Sequence, residues 1–208
     1  MLRVGLTGGI ASGKSAVLRL LQQRGAVVFS ADEAARAVLS PKSSALRQIR
    51  EAFGAHVFAT DGTLLRSQLA ALIFQDAQAR QTLNQITHPP ILRLLAAQIE
   101  SAQCELSPQN IVIAEIPLLY EDRLQSWFDV VAVVSASQEI RLQRLAERNG
   151  LTREEGIKRL KAQIPLEEKA AYADIVIENN GDLLALSEEV KSLWQTLQTL
   201  NAQKSHEI

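Results

Sequence analysis

Five short runs constrain this chain more than anything else in it: "LRVGLT", "AVVFS", "NIVIAEI", "DVVAVVS" and "DIVIEN". They are apolar, rich in β-branched residues, and show little of the in–out alternation of a strand with one wet face. That pattern predicts strands covered on both sides. Helical stretches separate them, beginning with "KSAVLRLLQQRG", which Gly25 closes. Covered strands joined through helices make a parallel sheet with right-handed crossovers, so the expected fold class is α/β.

The alternation breaks between residues 43 and 103. "SSALRQIREAFG", "RSQLAALIF", "AQARQTLNQI" and "PILRLLAAQIESAQ" all have helical spacing, with no strand between them. A helical insertion of this kind adds nothing to the sheet and is expected to cover or complete a site. Further on, "TREEGIKRLKAQI" reads as a charged helix opened by a Thr152–Glu155 capping box. In "LLALSEEVKSLWQTLQTL", Leu183, Leu186, Val190, Leu193, Leu197 and Leu200 form one stripe. The stripe is expected to pack on the sheet, with a coiled-coil seam as the alternative. The tail "NAQKSHEI", 201–208, is expected to be flexible.

Composition excludes several function classes. Twenty-two basic residues face 23 acidic ones, for a net charge of −1. No cationic excess exists to neutralise a nucleic-acid backbone, so none is expected as a partner. Cys104 is the only cysteine, and His56, His88 and His206 are scattered, which argues against disulfides and against structural zinc. No apolar run is long enough to span a bilayer and no targeting segment is visible. The expectation is a soluble, cytoplasmic protein with no membrane association and no obligate protein partner.

Chemistry enters at "VGLTGGIASGKSAV". Gly8, Gly13, Lys14 and Ser15 match G-x-x-x-x-G-K-[ST], and the match lies between the first strand and the first helix, as its mechanism requires. Glycines let successive N–H groups turn toward phosphate oxygens, and the helix beginning near Gly13 adds its positive end. Lys14 reaches the β- and γ-phosphates and Ser15 holds Mg²⁺. A nucleoside triphosphate is the expected ligand.

The fate of the bound phosphate is a narrower choice. The chain lacks the D-x-x-G and N-K-x-D elements of a regulatory GTPase, and the third strand ends in Glu115 where a motor ATPase usually has a metal-holding Asp. A small phosphotransferase remains. Asp32, just past the second strand, is placed to accept the proton of an incoming hydroxyl, with Arg36 one turn on to grip an anionic acceptor. The same spacing equally fits a helix cap with an i,i+4 ion pair. "EIRLQRLAERNG" supplies Arg141, Arg144 and Arg148. The last two share a helical face and could stabilise transferring charge from a lid, or simply form a solvated basic face. His88, before two prolines, reads as a helix start. Leu118, Leu119 and Tyr120 read as a ligand wall or as ordinary core.

Taken together, "GLTGGIASGKS", "ADEAAR", "DGTLLRSQLAALIF", "THPPI", "IPLLYE", "RLQRLAERNG" and "AQIPLEEKAAYADIVIENNG" resemble the dephospho-coenzyme A kinase family over nearly the whole chain. The resemblance implies a P-loop kinase that uses ATP and Mg²⁺ to phosphorylate the ribose 3′-hydroxyl of dephospho-CoA, the last step of coenzyme A synthesis. It implies a core (1–42, 104–148, 174–200), a helical CoA-binding insertion (43–103) and a lid (149–173). Gly8, Gly9, Ile10, Ala11, Ser12, Gly13, Lys14, Ser15 and Ala16 would cradle ATP, with Lys169, Asn179 and Gly181 beside its base. Asp32 would be the base. Arg36, Arg66, His88, Pro117 and Leu118 would contact the acceptor, and Arg144, Arg148 and Gln163 would belong to the lid.

Two departures stand out. Ser30-Ala31-Asp32 replaces the family's Asp-x-Asp, removing one carboxylate. Ala11 and Ala16 stand where the family often has Gly and Thr, and Ala11 then needs a negative φ or mild strain. Two rival readings remain: a kinase of another small metabolite or nucleotide, and a nucleotide-dependent switch protein with no acceptor.

Overall fold

β1 (Leu2–Gly8), β3 (Ile111–Glu115) and β4 (Val130–Ser135) are buried along nearly their whole length, as their apolar runs require. β2 (Val27–Ser30) and β5 (Ile175–Glu178) are half-covered, and Val176 is exposed. The reason is position: the five strands form one parallel sheet in the order β2-β3-β1-β4-β5, so β2 and β5 are its edges. The expectation of full cover on both faces therefore holds for the three central strands only. This is a computed structural model of the chain, and it describes residues 1–105, 107 and 110–206.

Two compact units divide the chain, one formed by 1–30 with 99–208 and the other by 31–98. In the first, α1 (Lys14–Gln23) and α9 (Leu183–His206) lay their apolar stripes on one core with β1, β3, β4 and β5. Val17 and Leu21 of α1 meet Val190 and Leu197 of α9 there, each 0% exposed. Each such side chain contributes about 1.5–3 kcal/mol when fully buried. Of the predicted stripe, Leu186, Val190, Leu193 and Leu197 are buried and Leu200 is partly so, while Leu183 lies in the open. The stripe packs on the sheet. The same unit holds α6 (Gln138–Asn149), α7 (Arg153–Leu160) and α8 (Leu166–Ala171), and the Thr152–Glu155 capping box is formed.

The expected flexible tail is instead helix. α9 continues to His206, and 207–208 lie outside the described residues. Asn201 is buried, and Lys204 Nζ donates to Asp129 Oδ2 at 2.6 Å, which also accepts from Arg3 N at 2.8 Å. Burial pushes the Asp129 carboxyl upward, but the hydrogen bonds from Arg3 and Lys204 outweigh it and hold its pKa at about 2. A depressed carboxyl pKa contributes stability above its unfolded value and loses it as pH falls through the folded one. Asp129→Asn is therefore expected to cost on the order of 1 kcal/mol near neutral pH. In urea titrations that difference should vanish between about pH 4 and the folded pKa of about 2.

The second unit is helical: α2 (Ala31–Val38), α3 (Ser44–Phe53), α4 (Arg66–Gln75) and the first part of α5 (Ala77–Glu105). Ile49, Phe53, Val57, Phe58, Leu69 and Ala79 form its core, with Leu39 packed against them. Leu39 follows α2 directly, which draws the start of this unit to Ala31, ahead of the expected 43. The two helices expected either side of "THPP" are one, with Pro89 and Pro90 inside α5. Neither proline can donate to the carbonyl four residues back, so two ladder bonds are lost, yet the helix persists. Thr87 is buried here and its hydroxyl donates to Leu83 O at 2.8 Å. No helix among the described residues is long and apolar enough to cross a membrane.

Candidate active site

The phosphate loop leaves β1 at Gly8 and enters α1 at Lys14. Gly13 has φ +99°, and a Cβ there would overlap Asn179 Nδ2, so the position admits only glycine. Ala11 takes φ +60°: of the two conformations open to its side chain, the strained one is realised, at roughly 1–2 kcal/mol. Arg144 and Asn179 hold the loop from outside. Arg144 Nη1 donates to Ser12 O at 3.2 Å and Ala11 O at 3.4 Å, and its Nη2 to Asn179 O and Oδ1 at 3.1 and 3.3 Å. Asn179 Nδ2 donates to Ser12 O at 2.7 Å. With these carbonyls engaged, no backbone carbonyl among the described residues accepts from the N–H groups of Ile10, Ala11 or Gly13. Unpaired amides on a tight loop at a helix start form an anion nest. Ser12 Oγ, fully buried, also has no partner.

Lys14 folds back over the loop, its Nζ donating to Gly9 O at 2.9 Å and Gly8 O at 3.1 Å. Ser15 is exposed at the start of α1, and Ala16 is half-buried behind it. Gly181 is exposed just ahead of α9.

A carboxylate from β3 stands beside Ser30, where the first Asp of the Asp-x-Asp pattern is missing. Ser30 and Glu115 are paired in register at the ends of β2 and β3, and Ser30 Oγ donates to Glu115 Oε2 at 3.1 Å. Glu115 in turn pairs with Leu6 of β1, two residues before the loop. A nearly buried carboxylate thus stands at the sheet's carboxyl edge, supplied by β3 and invisible to a search near residue 30. No cluster of three or more His, Cys, Asp or Glu side chains suited to a metal occurs among the described residues.

The predicted arginines separate. Arg144 docks on the loop, whereas Arg148 is exposed and its Nε meets its neighbour Asn149 Oδ1 at 3.0 Å. Arg141 stands three residues before Arg144 and shares its helical face; its side chain is 6% exposed and lies against Gly9. Burial lowers the Arg141 pKa, and Glu167 only partly restores it. Spacing puts all three arginines on one face, and burial is what sets Arg141 apart.

Pro117 and Leu118 are half-buried in the turn after β3. Leu119 and Tyr120 beside them are core residues, not a ligand wall, and burial, followed by the Asp174 charge, raises the Tyr120 pKa to about 12. Lys169 of α8 pins this turn: fully buried, its Nζ meets Glu121 Oε1 at 2.7 Å and Pro117 O at 3.2 Å, while Thr7 Oγ1 donates to Pro117 O at 3.2 Å. Lys169→Met leaves Glu121 half of a broken pair. Because Glu121 keeps some solvent, the expected loss is about 2–3 kcal/mol, below the usual range for a buried pair, measured by denaturant unfolding. Gln163 sits half-buried in the bend between α7 and α8.

In the helical unit, Asp32 lies in the first turn of α2 and is exposed, as is Arg36. Ser30 stands before the first helical residue, and Asp32 is the second residue of the helix. Arg66 opens α4 and is exposed. His88 does not begin a helix. It lies mid-α5 and lines an open groove of about 550 Å³ with Arg80 and Asn84.

A nest between the central strand and first helix of a sheet ordered β2-β3-β1-β4-β5, clamped by an arginine from α6, places the protein in the P-loop kinase class. The dephospho-CoA kinase profile matches residues 2–185, and the chain belongs to that family. It is 47% identical to the dephospho-CoA kinase of Geobacillus kaustophilus over 180 residues, 86% of this chain and 89% of that one. Among solved structures, TT1252 of Thermus thermophilus superposes with a TM-score of 0.76 at 34% identity, covering 94% of this chain and 97% of that one. The dephospho-CoA kinase of Campylobacter jejuni gives 0.70 at 26% identity, covering 96% and 98%.

Proposed function

We propose that the chain moves the γ-phosphoryl group of ATP to the ribose 3′-hydroxyl of dephospho-CoA, giving coenzyme A and ADP. The observation that carries the reading is the nest: loop carbonyls tied outward by Arg144 and Asn179, amides left unpaired, and the Lys14 ammonium resting on Gly8 and Gly9. Gly8 to Ala16 receive the phosphates. Lys14 leaves its resting carbonyls for the β- and γ-oxygens, while Asn179 and Gly181 border the base.

The 3′-oxygen attacks phosphorus, the bond to the β–γ bridging oxygen breaks, and Asp32 accepts the hydroxyl proton. The transition state is loose, so orientation of the hydroxyl contributes more than base strength. By resemblance to the family's motifs, Arg36, Arg66, His88, Pro117, Leu118 and Gln163 contact the acceptor. Arg144 and Arg148 offset the charge on the transferring group.

The residues present fit Mg²⁺ held chiefly by phosphate oxygens and water: Ser15 lies at the loop, the Glu115–Ser30 pair at the ends of β3 and β2, no larger cluster of metal-ligating side chains occurs among the described residues, and this ion favours such sites over all-protein cages. When bound, it neutralises charge on the β- and γ-oxygens.

An ADP-release assay compares dephospho-CoA with adenosine, nucleoside monophosphates and pantothenate as acceptors. Turnover on dephospho-CoA is expected to dominate. Turnover on another acceptor with none on dephospho-CoA would refute the assignment.

A further inference from the structure

We propose that Arg141 is a further nucleotide-binding residue, its guanidinium donating to phosphate oxygens at the γ end of bound ATP. The inference rests on the nucleotide site described above and adds a contact to it. Arg141, Arg144 and Lys169 are buried or half-buried cations in this part of the protein, and two of them are well matched. Lys169 has Glu121 and Pro117 O, and Arg144 has four oxygen acceptors. Arg141 has almost nothing. Its Nε is buried without a partner, and its counter-charge is Glu167 at 3.9 Å, itself 79% exposed. A guanidinium brings five N–H donors, and leaving them unanswered inside a protein is costly unless something else answers them.

Location says what that something is. A Cβ on Gly9 would lie 2.7 Å from Arg141 Nη1 and 3.4 Å from Leu166 Cδ2, so the guanidinium lies directly against the loop at Gly9. Lys14 Nζ rests on the carbonyl of the same residue at 2.9 Å. Two cations therefore converge on Gly9, beside amides that lack acceptors, and the missing partner is an anion. Lys14 reaches the β- and γ-phosphates in a loop of this type, so the Gly9 side is the γ side. The Arg141 side chain is itself 6% exposed, and a charge contact made away from water is stronger.

The test uses the full chain without acceptor. Isothermal titration reads ATP and ADP affinity for the wild type, Arg141→Met and Arg141→Lys, and a thermal scan reads each ligand-free midpoint. One lost charge-assisted hydrogen bond predicts ATP affinity lower by about 10- to 100-fold in the Met variant. ADP affinity should fall less than about 3-fold, because the contact is to the γ end. The ligand-free midpoint should stay or rise, since an uncompensated buried cation is removed. The Lys variant keeps the charge and loses the fork, and should bind ATP with intermediate affinity. Should the Met variant not fold, the Lys variant decides alone, ATP falling more than ADP. Unchanged affinities, equal losses for ATP and ADP, or a lower midpoint with affinity intact would overturn the proposal. Failure of the wild type to bind ATP would instead sink the nucleotide site itself.

Discussion

Asp32→Asn is expected to lower turnover with dephospho-CoA by about 10²–10⁴-fold while ATP affinity stays within a factor of about two, as for loss of a positioned general base. The substitution keeps size and shape and removes only the capacity to take a proton, so a large effect on kcat isolates that role. Asp32 is exposed in the first turn of α2, where its interaction with the helix dipole is worth about 0.3–1 kcal/mol. Stability should therefore hardly change. Near-normal turnover with a lowered unfolding midpoint would show that Asp32 serves its helix and that the proton leaves by another route. Parallel titration of ATP binding separates that result from a damaged nucleotide site.

Gly13→Ala should abolish useful ATP binding. Its φ of +99° excludes an L side chain at little cost, and the new methyl would displace Asn179 Nδ2 from the Ser12 carbonyl. Backbone strain of about 1–2 kcal/mol and overpacking of about 1–3 kcal/mol act together, which amounts to roughly two decades or more in affinity. The fold should survive, because the core of α1, α9 and the central strands lies below the loop. Far-UV circular dichroism and a titration with ATP measure the two halves of this expectation. Gly25→Ala is the contrasting control: Gly25 also has positive φ, but a Cβ there meets nothing within 4 Å, and it lies past the opposite end of α1 from the loop. Only modest loss of stability is expected there, with nucleotide binding retained.

Legibility in the sequence divides along the range of the interactions involved. β1, the loop and α1 are legible because strand, glycine turn and helix are adjacent in the chain, and each is dictated by residues within one or two turns. The α9 stripe is legible for the same reason. The continuity of α5 is not, since proline's local penalty argues for a break that the rest of a 29-residue helix overrides. The tail's polar composition argues for flexibility, while its order comes from Lys204 meeting Asp129, 75 residues away.

The site follows that division. Residue types and spacing determined that a polyphosphate would be gripped between Gly8 and Ser15, and resemblance extended this to an acceptor and the residues around it in motif order. Tertiary packing alone decided which arginine docks on the loop, since Arg144 reaches it across 132 residues while Arg148 stays exposed. Packing alone also brought Glu115 to Ser30 across 85 residues, and buried Arg141 against Gly9. Periodicity reports which face of an element is apolar. It contains no information about which distant element covers that face, and charge compensation inside a protein is settled only there.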